Sequence, residues 1–158
     1  FEWKYFNLFP FRIDFDFTEI TSKLEAAKVA AVTSVRPAVQ EGAQIYYDEM
    51  RVRVPVHTKG HWFHGTSFQK NGKKYWFNAG SLKSAIYQVY SKDNSGEAKA
   101  TYHVAWNHKK VPYGFMVEYG TSRTPAHPFL RPAYAAKHTQ AESAVREGVY
   151  RRVQKALG

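Results

Sequence analysis

The chain has 158 residues, of which 44% are hydrophobic and 23% are charged, and it contains no cysteine. This length and composition are typical of one globular domain with its own core, and they argue against global disorder. The absence of cysteine excludes a disulfide framework, a cysteine-ligated zinc site and a thiol nucleophile. No uncharged run approaches the roughly 18 residues that a membrane span needs, so we expect a soluble protein, made in the cytoplasm, with no membrane partner.

The formal net charge of +10 is typical of proteins that contact nucleic acid, because Lys and Arg release counterions from phosphates. The basic residues are nevertheless scattered in pairs. Scattered pairs are also typical of solvated faces and of contacts with an acidic neighbouring subunit, so charge alone leaves these interpretations open. The pairs are Arg51 and Arg53, Lys73 and Lys74, Lys109 and Lys110, and Arg151 and Arg152.

Residues 1–17 contain eight aromatic side chains. Ile13, Phe15 and Phe17 alternate with two aspartates, and a period of two predicts a half-buried strand. We interpret residues 1–17 as an aromatic N-terminal arm that adds to a sheet edge of a neighbouring subunit. A strand within the same domain is the alternative.

Residues 18–53 carry a helical pattern, because apolar residues recur at spacings of three and four. Ser22 and Glu25 have the spacing of a capping box at the start of this helix. Pro37 lacks an amide donor and clashes with the preceding turn, so we predict a helical segment that is kinked or broken near Pro37. The apolar face consists of Leu24, Ala27, Ala31 and Val35.

Residues 61–80 are rich in Gly, His and aromatic residues, and we predict that they form an inserted β-hairpin. Asn71-Gly72 is the strongest short hairpin signal, because both residues tolerate positive φ. A hairpin that projects from a small domain is a contact element. Its aromatic residues are Trp62, Phe63 and Phe68 before the turn and Tyr75, Trp76 and Phe77 after it, and the expected contact residues are Trp62, Phe63, Tyr75 and Trp76.

Three histidines in this region, His57, His61 and His64, have spacings that would bring their imidazoles together on a helix. Gly60 and Gly65 oppose a helix there, and no carboxylate lies among these residues. The sequence therefore predicts no metal site.

The next stretch is predicted to supply the centre of the sheet. Residues 81–90 begin with Ser81 and end in β-branched and aromatic residues that suit a strand. Residues 91–97 form a polar turn, and residues 98–106 alternate between apolar and polar side chains. The two strands should therefore pair antiparallel.

Residues 113–134, which we call the strap, read YGFMVEYGTSRTPAHPFLRPAY. Pro125, Pro128 and Pro132 fix φ and remove backbone donors, so we predict an ordered, non-repetitive segment. Its apolar residues imply that the strap is pinned to the molecule or to a neighbour.

Glu118 is the acidic residue of the strap. A buried carboxylate needs an arginine or backbone donors, so we predict that Glu118 pairs with Arg123 or Arg131 and fixes the shape of the strap. The alternative is an exposed Glu118 on a short helix or strand.

A C-terminal helix follows Pro132, which suits the first turn. Its apolar stripe recurs every four residues, as expected for one buried face. Gly148 costs about 1 kcal/mol relative to Ala inside a helix, so we predict that it permits the close approach of another backbone. The stripe consists of Ala141, Val145, Val149, Val153 and Leu157.

Motifs of known enzymes are absent: the chain has no GxSxG elbow, P-loop, dinucleotide fingerprint or HExxH. Asp14 and Asp16 share a predicted strand face but lie among aromatic residues, which does not favour a two-carboxylate site. We therefore predict a protein that is not an enzyme and that has no catalytic residue, cofactor or metal. A small metal-dependent nuclease is a minor alternative.

The run VEYGTSRTPAHPFLRPA, with PVHTKG at residues 55–60 and SLKSAI at residues 81–86, resembles the tail-component family of long-tailed bacteriophages, the gene-product-ten-like neck proteins of lambda-like phages. The resemblance covers residues 18–158, and residues 61–80 stand in it as an insertion. It implies a structural virion protein that forms a ring in the neck, at the head–tail junction, and acts in tail completion. The implied location is the virion, with the host cytoplasm during assembly.

The resemblance also implies partners: further copies in a homo-oligomeric ring, adjacent connector or head-closure proteins, and tail-terminator or tail-tube proteins. Lys109 and Lys110 are candidates for contact with an acidic partner or with the DNA in the channel. The alternatives are a tail-terminator ring protein and a basic nucleic-acid-binding domain that stacks bases on aromatic residues. The expected strap interface consists of Val117, Glu118, Tyr119, Gly120, Thr121, Arg123, Pro125, His127, Phe129 and Arg131.

The predicted fold is α+β, with residues 1–17 as the arm and residues 18–158 as a single domain. An N-terminal helical segment and a C-terminal helix are expected to pack on an antiparallel sheet of about four strands. Neck and tail-terminator proteins commonly have this architecture, so the resemblance implies the same arrangement.

Overall fold

Two long helices form the frame of the molecule: α1 comprises Thr18–Arg53 and α5 comprises Leu130–Leu157. The computed structural model describes residues 14–158, except for the side chains of residues 66–68. Within these residues the chain also forms two small antiparallel sheets, so the predicted α+β class is confirmed. The elements between the long helices are β1 (His61–Phe63), α2 (Thr66–Asn71), β2 (Tyr75–Phe77), α3 (Ser81–Ser84), β3 (Ile86–Tyr90), β4 (Tyr102–Trp106) and α4 (Gly114–Tyr119).

The start of α1 differs from the prediction. Asp16 Oδ1 accepts hydrogen bonds from the backbone N–H of Thr18 at 2.9 Å and from its hydroxyl at 2.5 Å, so an acceptor is available before the first turn. Ser22 lies inside the helix, where its hydroxyl donates to the Glu19 carbonyl at 2.8 Å. The predicted capping box of Ser22 and Glu25 is therefore wrong.

α1 is continuous through Pro37. A proline inside a helix costs about 3 kcal/mol, because it removes one backbone hydrogen bond and crowds the preceding turn. Ala38 and Gly42, just beyond Pro37, are buried against α5, and this packing holds both halves of α1 in one helix. The predicted break is wrong, whereas the kink stays a prediction.

The two long helices pack antiparallel along one face. Ala38 of α1 lies beside Gly148 of α5, whereas Tyr46, further along α1, stacks on Tyr134 with ring centroids 5.4 Å apart. A Cβ at Gly42 would lie 2.6 Å from Cγ2 of Val145, so this glycine lets the helices approach closely. The central part of the predicted α5 stripe, Ala141 and Val145, is thus confirmed to face α1.

Gly148 faces α1, as predicted. A Cβ added there would lie 3.2 Å from the Cβ of Ala38, an atom bonded directly to the α1 backbone, and 2.8 Å from Oε2 of Glu41. The prediction that Gly148 permits the close approach of another backbone is therefore confirmed. The glycine also leaves room for Glu41, which accepts a hydrogen bond from Nη2 of Arg152 at 2.6 Å.

The pairing of β3 with β4 is antiparallel, as predicted, with Ile86 opposite Trp106 and Tyr90 opposite Tyr102. The sheet rests on α1, where the Tyr102 hydroxyl donates to Oε1 of Gln40 at 3.3 Å. β4 begins only at Tyr102, because the preceding turn is closed by its own hydrogen bonds, among them the Ser95 hydroxyl that accepts the Thr101 N–H at 2.9 Å.

β1 and β2 form a separate two-stranded sheet, so the prediction of one sheet of about four strands is wrong for the described residues. α3 turns the chain between β2 and β3, and these strands are therefore not neighbours. The predicted antiparallel partners are correct, with Trp62 opposite Trp76. The prediction of a tight Asn71-Gly72 turn between the strands is wrong, because α2 fills most of the connection. The side chain of Phe68 lies outside the described part of the chain.

The core lies where the C-terminal end of α1, β3, the loop before α4 and the first turn of α5 meet. Phe129 is completely buried in it, and Trp106 packs edge-on against Phe129 with centroids 5.8 Å apart. The buried cluster consists of Met50, Val54, Leu82, Ala85, Ile86, Val111, Tyr113, Phe129 and Ala133.

The predicted aromatic arm lies mostly outside the described residues, which begin at Asp14. Residues 14–17 have no regular secondary structure and lead directly into α1. The rings of Phe15 and Phe17 are exposed and stack with centroids 6.0 Å apart. Among the helices of the described part, none has the length and apolar character needed to cross a membrane.

Candidate functional site

The strap contains more regular structure than predicted. Its first part is the helix α4, and its last residues belong to α5, so the prediction of a non-repetitive segment is wrong at both ends. All three prolines follow Gly120, so none of them opposes α4. Gly120 has φ +76°, and a Cβ there would lie 2.8 Å from the backbone N of Ala126, so glycine is required where the chain leaves α4. Pro132 lies in the first turn of α5, as predicted.

The Glu118 carboxylate joins the two ends of the strap. The side chain is only 1% exposed. Its oxygens accept the backbone N–H groups of Phe129 at 2.7 Å, Leu130 at 2.9 Å and Arg131 at 3.1 Å. These are N–H groups at the start of α5, which have no partner within the helix, so Glu118 caps α5 from a distance.

Glu118 also accepts a hydrogen bond from Nε of Arg131 at 3.1 Å, and the Arg131 guanidinium lies over the Tyr119 ring. The predicted pairing with Arg123 or Arg131 is confirmed for Arg131, whereas the exposed-Glu alternative is wrong. Burial alone raises the pKa of Glu118, but the hydrogen bonds from the backbone of residues 129–131 and from the Arg131 side chain outweigh it, and the net pKa is lowered.

Residues 121–128, the strap loop, are all exposed. The loop is held at both ends, because the His127 N–H donates to the Val117 carbonyl at 2.8 Å and Phe129 is buried. The predicted strap residues therefore divide into two groups. Glu118 and Phe129 point inward, whereas Thr121, Arg123, Pro125 and His127 form an exposed tip of fixed shape.

A groove of about 540 Å³ lies between the strap loop and β1. Arg123 and His127 line it on one side, and His57 and His61 line it on the other. Sequence reasoning missed this pairing, because the two sides are about 65 residues apart. Burial lowers the pKa of His61, and the nearby His57 lowers it further. In the described part of the chain no three side chains of the metal-ligating types come together.

A second groove, of about 520 Å³, lies between the β1–β2 sheet and the loop of residues 107–112. Tyr75 and Trp76 line one wall, and Lys109 and Lys110 line the other. Three of the four predicted hairpin contacts, Phe63, Tyr75 and Trp76, thus line one groove with the lysine pair, whereas Trp62 does not line it. Phe63 reaches the same groove but also packs towards the core, 5.9 Å from the Tyr113 ring.

The third surface is the N-terminal end of α1, which extends past the end of α5 and is not covered by it. Ala38 lies opposite Gly148, and α5 has nine further residues, which reach about the level of Val29. Residues 18–28, the α1 overhang, therefore extend about 16 Å beyond α5 at 1.5 Å per residue. Ile20 and Leu24 are 54% and 64% exposed there. Both lie on the helix face that α5 covers at Ala38 and Gly42.

The chain matches no protein-family model, no curated protein and no solved structure. The three surfaces are therefore interpreted from their geometry and from the sequence motifs alone.

Proposed function

We propose that this chain is a structural virion protein of a tailed bacteriophage, which assembles into a ring in the neck at the head–tail junction. It acts in tail completion and has no catalytic turnover. The support is the strap motif, which resembles that of the tail-component family, together with apolar surfaces that are exposed among residues 14–158. The protein would be located in the virion, and in the host cytoplasm during assembly.

The observation that carries the proposal is the α1 overhang. Its apolar stripe continues the stripe that α5 buries, but Ile20 and Leu24 stay in water. Burying one such side chain contributes about 1.5–3 kcal/mol, so an arrangement that covers the stripe is favoured. A neighbouring copy covers it in a ring, where each subunit offers one patch to a different patch on the next and the rotation closes.

The strap loop supports the same proposal. A loop that is already fixed before binding loses little conformational entropy when a partner docks on it. Glu118 supplies that order, because its carboxylate ties α4 to the start of α5 on either side of the loop. The partners that fit are further copies, the connector or head-closure protein and the tail-terminator or tail-tube protein. A tail-terminator ring is the alternative within the same class, and the position of the protein in the particle distinguishes the two.

A second candidate function, a basic nucleic-acid-binding domain, is favoured by the charge distribution. Residues 54–92 contain six lysines and neither Asp nor Glu. Such a domain needs no ring, and its affinity falls steeply as salt is raised.

The overhang provides the test. In the double variant Ile20→Glu and Leu24→Glu, two charges lie on the exposed stripe, and the variant is expected to stay monomeric with an unchanged circular dichroism spectrum. Wild type is expected to form a closed oligomer of one mass, alone or on incubation with phage particles that lack this polypeptide. Sedimentation and native mass spectrometry measure the masses.

The matched control is Ser22→Glu with Val29→Glu, which adds the same charge to the opposite face of α1, within about one turn of the overhang. This control is expected to assemble like wild type. A wild type that stays monomeric under both conditions, or an Ile20→Glu, Leu24→Glu variant that assembles normally, contradicts the proposal.

A further inference from the structure

The groove between the β1–β2 sheet and residues 107–112 differs in chemistry from the strap groove. It combines flat aromatic side chains on one wall with the two lysines of the loop on the other, and no acidic residue of the described part of the chain lines it. Its volume of about 520 Å³ is in the range of sites that hold small organic molecules.

The outer face of the β1–β2 sheet continues this surface. Trp62 and Trp76 are cross-strand partners, are 50% and 51% exposed, and meet edge to face at 5.2 Å. Two of the exposed rings have a lysine over them: Nζ of Lys74 lies 4.7 Å from the Trp62 centroid, and Nζ of Lys73 lies 5.3 Å from the Tyr75 centroid. The surface thus places aromatic rings next to positive charges.

Two classes of acidic partner are attracted by such a surface: nucleic acid and an acidic protein. Aromatic residues are frequent at protein interfaces, but lysine is depleted there, whereas here lysines accompany the exposed rings. Surfaces that bind single-stranded nucleic acid combine these two features, because the bases stack on aromatic rings while lysines follow the phosphates. Duplex DNA does not expose base faces, so it cannot use the rings.

We infer that this groove binds a single strand of nucleic acid without sequence preference. Bases stack on Tyr75 inside the groove and on Trp76 where the groove meets the outer face of the sheet, and Lys109 and Lys110 contact phosphates across the groove. Lys73 and Lys74 are free to move from the rings to the phosphate backbone when a base takes their place. The inference does not rest on the proposed ring, because all of these groups belong to one copy of the chain.

The test measures binding of a twelve-nucleotide oligothymidylate to the full chain. Tryptophan fluorescence and the anisotropy of a labelled strand monitor the binding. Stacking is expected to quench the fluorescence, and log affinity is expected to fall linearly with log salt. Tyr75→Ala is expected to weaken binding by about 5- to 100-fold, the effect of losing one stacked base. Lys109→Gln with Lys110→Gln is expected to lower the salt slope by about 1.4.

The matched control is Lys92→Gln with Lys99→Gln, which removes two exposed lysines from the turn between β3 and β4. It is expected to bind like the wild type. The inference is overturned if the strand does not bind at low salt, if duplex binds as tightly, or if the control loses as much affinity as the Lys109 and Lys110 variant. It is also overturned if polyglutamate competes as well as the strand, which identifies an acidic protein as the partner class.

Discussion

Oε2 of Glu118 accepts the backbone N–H of Phe129 at 2.7 Å, and both side chains are fully enclosed. Replacing Glu118 by Gln removes the charge and turns an amide NH₂ group towards the N–H donors of α5. We expect Glu118→Gln to lower the free energy of unfolding by about 2–4 kcal/mol, as measured by denaturant titration. The control Glu142→Gln, at an exposed ion pair with Arg146, is expected to cost less than about 1 kcal/mol. Equal losses in the two variants would contradict the capping role.

The Glu118 carboxylate is also expected to make the stability of the fold depend on pH in the acid range. Its pKa is lowered in the folded state, so its contribution is complete above the ordinary carboxyl pKa and is lost as the pH falls through the folded value. Wild type is therefore expected to lose more stability below about pH 4.3 than Glu118→Gln does. Thermal unfolding at a series of pH values between neutral and acid measures the difference, and parallel curves would exclude this linkage.

The His61 imidazole is expected to make the stability of the fold depend on pH in a second, higher range. Burial lowers its pKa, and Nδ1 has no hydrogen-bond partner among the described residues. The unfolded chain takes up a proton near pH 6.5 and the folded chain does so only at lower pH, so stability falls as the pH drops below about 6.5. His61→Phe keeps a ring against Phe77 and Tyr113 and is expected to remove this dependence. His108→Phe, in an exposed turn, should leave it unchanged.

Gly42 predicts the effect of adding one methyl group between α1 and α5. Replacing an exposed glycine in a helix by Ala raises the free energy of unfolding by about 1 kcal/mol. At Gly42 the new Cβ meets the stiff Val145 side chain at 2.6 Å and the Ala141 carbonyl oxygen at 3.1 Å. We expect Gly42→Ala to destabilise the fold by about 1–3 kcal/mol. Gly96→Ala, with nothing within 4 Å, serves as the control and is expected to be neutral in thermal unfolding.

Two phenylalanines of the strap are expected to separate folding from assembly. Phe129 is completely buried, so Phe129→Ala should cost about 3–5 kcal/mol in denaturant titration. Phe115 is 58% exposed and contacts the Tyr119 ring at the surface, with centroids 4.6 Å apart. Phe115→Ala is expected to leave stability within about 1 kcal/mol of wild type and to weaken oligomer formation. A Phe115 variant that is strongly destabilised would instead place this side chain in the core.

Local patterns in the sequence were sufficient for several parts of the fold. The spacing of apolar residues predicts the C-terminal helix and the helical region before Pro55, and alternation predicts the pairing of residues 86–90 with residues 102–106. A charged residue flanked by apolar ones in a proline-rich segment was enough to predict a pairing of Glu118 with Arg123 or Arg131, and the partner is Arg131. Each of these predictions depends on neighbours in the chain or, for Glu118, on the need of a buried charge for a partner.

The remaining parts depend on contacts between distant residues. Pro37 predicts a kink or a break, and the helix stays continuous because the burial of Ala38 and Gly42 by α5 outweighs the local cost. The division of the strands into two sheets, and the meeting of Tyr75 and Trp76 with Lys109 and Lys110, depend on how the chain turns at α3 and at residues 107–112. The two long helices, the strand partners and the net charge of this protein follow from the sequence alone, because they arise from nearby residues. The short helices α2, α3 and α4, the covered surfaces and the grooves follow from the folded arrangement, because they depend on the relative positions of elements far apart in the chain.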